Sequence, residues 1–196
     1  AVLPHNIDRL RRVEFVPFAS CIAAGADGVM TAHIIVPELT GPGVPATFSP
    51  RLLTGILRNE LGHDRLIVTD ALVMSAVEES MDQGTAAVKA VMAGADVLLT
   101  PGDVTTVTAA LISAVQTGRI SEERLNASVR RILTVKNERA WTALRPDPQV
   151  ARRILGSEQH NAVVEAIRVY PDRADRPDEL DEPDELDEPA QPDDPA

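Results

Sequence analysis

The sequence predicts an α/β fold built on a parallel sheet, and three observations carry that expectation. Short, nearly continuous apolar runs (Gly28 to Ala32, Leu66 to Thr69, Asp96 to Thr100) alternate with longer stretches of helical period. Runs that stay apolar on consecutive residues suit strands covered on both faces, the pattern of βαβ units. Glycines stand where the helical period gives out, at Gly25, Gly62, Gly94 and Gly118. Three strands fall short of a closed eight-stranded barrel, which takes about 250 residues. The pattern alone therefore leaves a small open sheet and a part of a barrel both standing.

Taken in order, Val13 to Ala24 reads as a helix whose main segment opens near Pro17. After the first strand comes a loop rich in Pro and Gly, Pro37 to Thr47. Ser49-Pro50 then starts a helix running to about Leu61, because serine accepts orphan amide bonds and proline sits where no amide is needed. Leu66-Ile67-Val68-Thr69 is the clearest strand, four β-preferring residues bounded by polar ones, and it ends on Asp70. Helices follow over Thr85 to Ala93 and, capped by Asp103, to about Thr117. Ser121 caps a further stretch with Glu122 and Glu123 in its first turn, where acidic groups complement the helix dipole. Helical period resumes from Ala127 to about Trp141 and from Ser157 to about Val169. Residues 1–169 are thus expected to form the globular body.

Residues 170–196 are a different material. Pro177-Asp178-Glu179-Leu180-Asp181-Glu182 repeats as Pro183 to Glu188, and from Pro171 onward twelve Asp or Glu face two Arg. Most of the formal charge of -11 lies there, so the body is close to neutral. Such a segment buries too little apolar surface to offset the entropy of ordering, and a disordered acidic tail is expected. The repeat lacks the glycine turn and ligand spacing of a calcium loop. No basic stripe and no aromatic platform points to nucleic acid, and no apolar run approaches the ~18 residues of a membrane span. The sequence opens without a charged-then-apolar leader pattern. Cys21 stands alone, which excludes an internal disulfide; on an apolar helical face it reads as a small core residue. Nothing has metal-ligand spacing, and no cofactor is expected.

Several local patterns fall in one order. They are Ala23-Ala24-Gly25-Ala26-Asp27-Gly28-Val29-Met30-Thr31-Ala32-His33, then Pro45 to Pro50, then Leu53 to Gly62, then Ile67-Val68-Thr69-Asp70-Ala71-Leu72-Val73-Met74, then Ala93 to Leu99 and Ser128 to Leu133. In this order they resemble glycoside hydrolase family 3, most of all its bacterial β-N-acetylhexosaminidase branch. The resemblance runs from about Leu3 to about Val169. It implies the last three or so βα units of a (β/α)8 barrel, a carbohydrate substrate, and Asp70 in the position of the catalytic nucleophile. It also suggests Met74 as part of the sugar-pocket wall and His33 as a substrate contact or a structural hydrogen-bonding residue.

The residues agree with that chemistry on their own terms. A retaining glycosidase needs a carboxylate to attack the anomeric carbon and an acid about 5 Å away to protonate the leaving oxygen. In parallel α/β barrels such groups stand at the C-terminal ends of strands, where Asp70 is expected. Asp27 and Asp96 each precede a strand and read as structural turn residues. The family's Lys-His pair, its Gly-His-Gly loop with the acid/base group, and its sugar-binding Arg and Asp all precede the position of Leu3. The glutamate acid of the glucosidase branch belongs to a second domain. The expectation is therefore a hydrolase of β-linked N-acetylhexosamine or glucose, impaired in this chain. The alternative is an inactive remnant or binding module that pairs with a missing N-terminal barrel half. A small doubly wound domain has no nucleotide fingerprint to support it.

Overall fold

The computed structural model describes residues 1–139 and 147–169. The expected acidic tail and the end of the helix toward Trp141 lie outside these residues. The chain divides into two compact units, Ala1–Ala143 and Leu144–Ala196.

In the first unit, α1 (Ile7–Arg12) is capped by Asn6, whose side chain accepts from the Arg9 amide, and it buries Leu10. α2 (Phe15–Ala23) begins two residues before Pro17, which occupies the first turn, where its missing amide costs nothing. No residue of α2 is buried, and Cys21 is exposed rather than in the core. Phe15 and Ile22 pack partly buried against the core, while Val16 and Phe18 stay exposed. β1 (Gly28–Met30) and β2 (Leu66–Val68) pair in parallel, with Gly28 opposite Leu66 and Met30 opposite Val68.

Between the two strands lie α3 (Pro37–Thr40), a 3₁₀ turn (Ala46–Phe48) and a helix over Arg51–Glu60. That helix sits where Ser49-Pro50 predicts one, but it is wound as a π-helix. It buries Leu53, Ile56 and Leu57.

The expected strand over Asp96 to Thr100 reduces to a single parallel bridge, Val68 to Val97. Only part of that run follows the β2 ladder. Thr69 N donates to Val97 O at 3.0 Å, but the next bond is made by a side chain, with Leu99 N donating to Thr69 Oγ1 at 2.9 Å.

After β2 come α4 (Ser75–Glu78), α5 (Gln83–Ala93), α6 (Val104–Gln116) and α7 (Glu122–Glu138). Asp82, Asp103 and Ser121 cap the last three, each accepting from the amide three residues on. The core joins Phe48, Leu53, Leu57, Ile67 and Leu72 to Ala86, Ala90, Ala93 and Ala95. Alanine lets α5 lie close to its neighbours. Gly84 extends this toward α6, since a Cβ there would stand 2.9 Å from Ala110 Cβ. Gly94, at φ 129°, ends α5 where a Cβ would meet Thr54 Oγ1 at 2.8 Å.

The second unit holds α8 (Pro148–Ile154), capped by Asp147, and α9 (Glu158–Val169).

Candidate functional site

The site is built where β2 ends. Thr69 is fully buried and ties the chain to the neighbouring segment through both its amide and its hydroxyl. Asp70 follows, half-buried, and its Oδ1 accepts from the Ala71 amide at 2.8 Å. Among the described residues no protein donor meets Oδ2. Leu72 plunges into the core, and its amide donates to Leu99 O at 3.1 Å. The loop carrying Asp70 is thus pinned on both sides of the carboxylate.

Met74 closes the loop. It is exposed, has extended backbone as the residue before α4, and donates its amide to Ala71 O at 3.2 Å. His33 approaches from the segment after β1 and is buried, with Nε2 3.0 Å from the same Ala71 O. Its Nδ1 lies 2.9 Å from Thr47 Oγ1, and its ring stacks on Phe48 with centroids 6.2 Å apart. Thr47 Oγ1 also lies 3.1 Å from Ala32 O and 2.9 Å from Thr31 Oγ1. Asp70, Met74 and His33 therefore meet around one residue, Ala71, the first at its amide and the other two at its carbonyl.

Thr31, Thr47 and Thr69 were not singled out by sequence. Their signal is weak, since a threonine beside a strand is ordinary. The segments "TAH" and "ATF" become informative only once the fold brings them together. Thr100, at the same end of the neighbouring segment, has φ 40°, the one positive value outside glycine among the described residues. Holding a β-branched residue there stores backbone strain.

At the opposite end of the strands, Asp96 and Asp27 take the structural roles expected of them. The Asp96 side chain is 0% exposed and is met by Arg58 at 2.7 Å, Arg131 at 3.2 Å and Arg124 at 3.6 Å. Ser128 Oγ donates to it at 2.6 Å and the Ile67 amide at 3.1 Å. Burial pushes the Arg58 and Arg124 guanidiniums below their usual value, and the Asp96 charge acts in the other direction. Asp27 receives a two-pronged bond from Arg139, at 2.7 and 2.9 Å, and a contact from Arg65 at 3.1 Å. The hydrogen bond from Arg139 holds its carboxyl below the usual range.

Comparison with known proteins gives consistent results. The family model described as "Glycosyl hydrolase family 3 N terminal domain" matches residues 1–135. Beta-hexosaminidase A of Pseudoalteromonas piscicida is 30% identical over 176 residues, which is 80% of this chain and 29% of that protein. A beta-N-acetylglucosaminidase/beta-glucosidase of Cellulomonas fimi is 30% identical over 130 residues, 62% of this chain and 23% of that protein. A solved glycoside hydrolase family 3 beta-N-acetylglucosaminidase from Paenibacillus sp. str. FPU-7 superposes with a TM-score of 0.74 at 40% identity. That match covers 85% of this chain and 32% of the other. The chain thus spans less than a third of the length of these relatives.

Proposed function

Because the chain belongs to glycosyl hydrolase family 3, we propose that its body supplies the last βα units of a (β/α)8 barrel and that Asp70 is the nucleophile of a retaining glycoside hydrolase. The substrate class is a β-linked N-acetylhexosaminide or glucoside. The observation that carries this reading is the state of the carboxylate. It stands at the C-terminal end of β2 with Oδ1 held by the Ala71 amide and Oδ2 left without a protein donor among the described residues. A held oxygen fixes the group, and a free one can attack.

Attack by Oδ2 on the anomeric carbon forms a carbon–oxygen ester bond as the bond to the aglycone oxygen breaks. The electron pair leaves with that oxygen, which takes a proton from a general acid. Water then adds to the same carbon, the ester bond breaks, and Asp70 is returned as carboxylate with the sugar configuration retained. Met74, exposed beside Asp70, forms part of the pocket wall. His33 serves the site through Ala71, since both of its ring nitrogens are engaged by protein atoms.

General acid catalysis is typically worth ~10²–10⁴-fold, and none of the residues assigned here supplies it, so slow turnover of ordinary glycosides is expected. A 2,4-dinitrophenyl N-acetyl-β-glucosaminide removes that requirement, because dinitrophenolate departs without a proton. The chain should release dinitrophenolate in a burst and gain one sugar on the peptide containing Asp70. Label on another residue, or an undiminished burst in Asp70→Asn, would overturn the assignment.

A specific observation favours a second reading, a module without turnover that pairs with another barrel half. β1 has a strand partner on one side only among the described residues. Beside it, an apolar hollow of about 310 Å³ is lined by Leu3, Phe15, Phe18, Met30, Ile34 and Leu61. Phe18 is 46% exposed and Met30 55%. Open strand edges beside apolar surface seek cover. Light scattering tests this directly: concentration-dependent association supports it, and a monomer with a sharp unfolding transition argues against it.

A further inference from the structure

We infer that His33 is a positioning residue for the Asp70 carboxylate, acting through the Ala71 peptide; the inference rests on the reading of Asp70 as nucleophile. The Ala71 carbonyl accepts from His33 Nε2 at 3.0 Å and from the Met74 amide at 3.2 Å. A carbonyl oxygen only accepts, so Nε2 carries a proton. The imidazole is itself immobilised. With Nε2 protonated, Thr47 Oγ1 donates to Nδ1 at 2.9 Å, Phe48 stacks on the ring, and Thr47 is fully buried. Turning the ring would leave its two nitrogens unpaired in a buried place.

What this achieves lies one peptide plane away. The strand ladder ends at Thr69, so the Asp70 loop lacks strand partners to set its dihedral angles. His33 fixes the Ala71 carbonyl, and the Leu72 amide is fixed by Leu99 O at 3.1 Å. The Ala71 carbonyl and the Leu72 amide share one peptide plane, held at both edges, and this plane joins through the Ala71 Cα to the one whose amide meets Asp70 Oδ1 at 2.8 Å. One carboxylate oxygen is clamped, and Oδ2 is presented. His33 thus determines which oxygen of Asp70 is offered, without touching substrate.

Two substitutions in the full chain separate this from a merely structural histidine. In His33→Gln the amide nitrogen stands where Nε2 stood and can still donate to Ala71. In His33→Asn the shorter side chain keeps a polar group near Thr47 but falls short of Ala71. Hydrogen exchange at the Ala71 amide, read by NMR, should be about tenfold faster in H33N and near wild type in H33Q, the effect of one lost hydrogen bond. The dinitrophenolate burst should slow by about the same factor in H33N with half-saturation unchanged, and recover in H33Q.

Equal Ala71 exchange in the two variants, or a wild-type rate in H33N, overturns the proposal. Should H33N fail to fold, Thr47→Val frees Nδ1 instead and should also speed Ala71 exchange; an unchanged rate there overturns it equally. A burst that persists in D70N defeats the nucleophile reading alone, because the Ala71 comparison still decides whether His33 positions that loop.

Discussion

Asp96 and Asp70 belong to neighbouring parallel segments and stand at opposite ends of them, and their surroundings differ in almost every respect. Asp96 is sealed from solvent and meets three arginines, a serine hydroxyl and a backbone amide. Asp70 is half-buried and, among the described residues, holds one bond, from the amide next to it. The saturated carboxylate has no capacity left for a ligand. The other keeps an oxygen in reserve. The number of protein donors around a carboxylate, more than its burial or its place beside a strand, separates a structural acid from a candidate reactive one.

The same substitution at both positions tests that contrast. Asp96→Asn should cost about 3–5 kcal/mol in a denaturant titration, because it leaves buried guanidiniums without their counter-charge. A loss no larger than that of a surface variant would mean the arginines find water or other partners.

Acid should act next, and through neither of these residues. Hydrogen bonds from Arg139, Thr85 and Thr106 hold Asp27, Asp82 and Asp103 below the ordinary Asp value of 3.8. A depressed carboxyl contributes stability that is complete above the unfolded value and is lost as pH falls through the folded one. Unfolding midpoints should therefore be level near neutrality and drop below about pH 4. Asp103→Ala should shallow that drop while lowering the plateau. An unaltered slope in this variant would remove the cap from the account.

Asp70→Asn should change least in stability, within about 0.5 kcal/mol, while abolishing sugar labelling. A large destabilisation would make Asp70 a structural acid after all.

The sequence made one end of this contrast readable and not the other. Leu66 to Thr69 is a local signal, β-preferring residues in a row, and the strand and its terminal aspartate are where that signal puts them. Asp96 is read as a turn residue from two local neighbours. Its arginines come from positions 58, 124 and 131, and nothing in the spacing announces that they converge. The run from Asp96 to Thr100 also reads as a strand, yet a threonine side chain takes over the ladder after Val97. α1 carries no apolar period in the sequence because it buries one residue, Leu10. His33 could be placed at the end of a strand, but its partners lie 14 and 38 residues away, distances across which pattern says nothing.

The buried charge cluster also imposes an order in time. Asp96 leaves the ribosome well before Arg124, Ser128 and Arg131, which reach it across 28 to 35 residues of sequence. Until α7 has been made, the carboxylate has Arg58 and the Ile67 amide and nothing from the far side. Closure of this end of the strands must therefore wait for α7, whereas the Asp70 loop, with Ala71, His33 and Leu99 already synthesised, can assemble first.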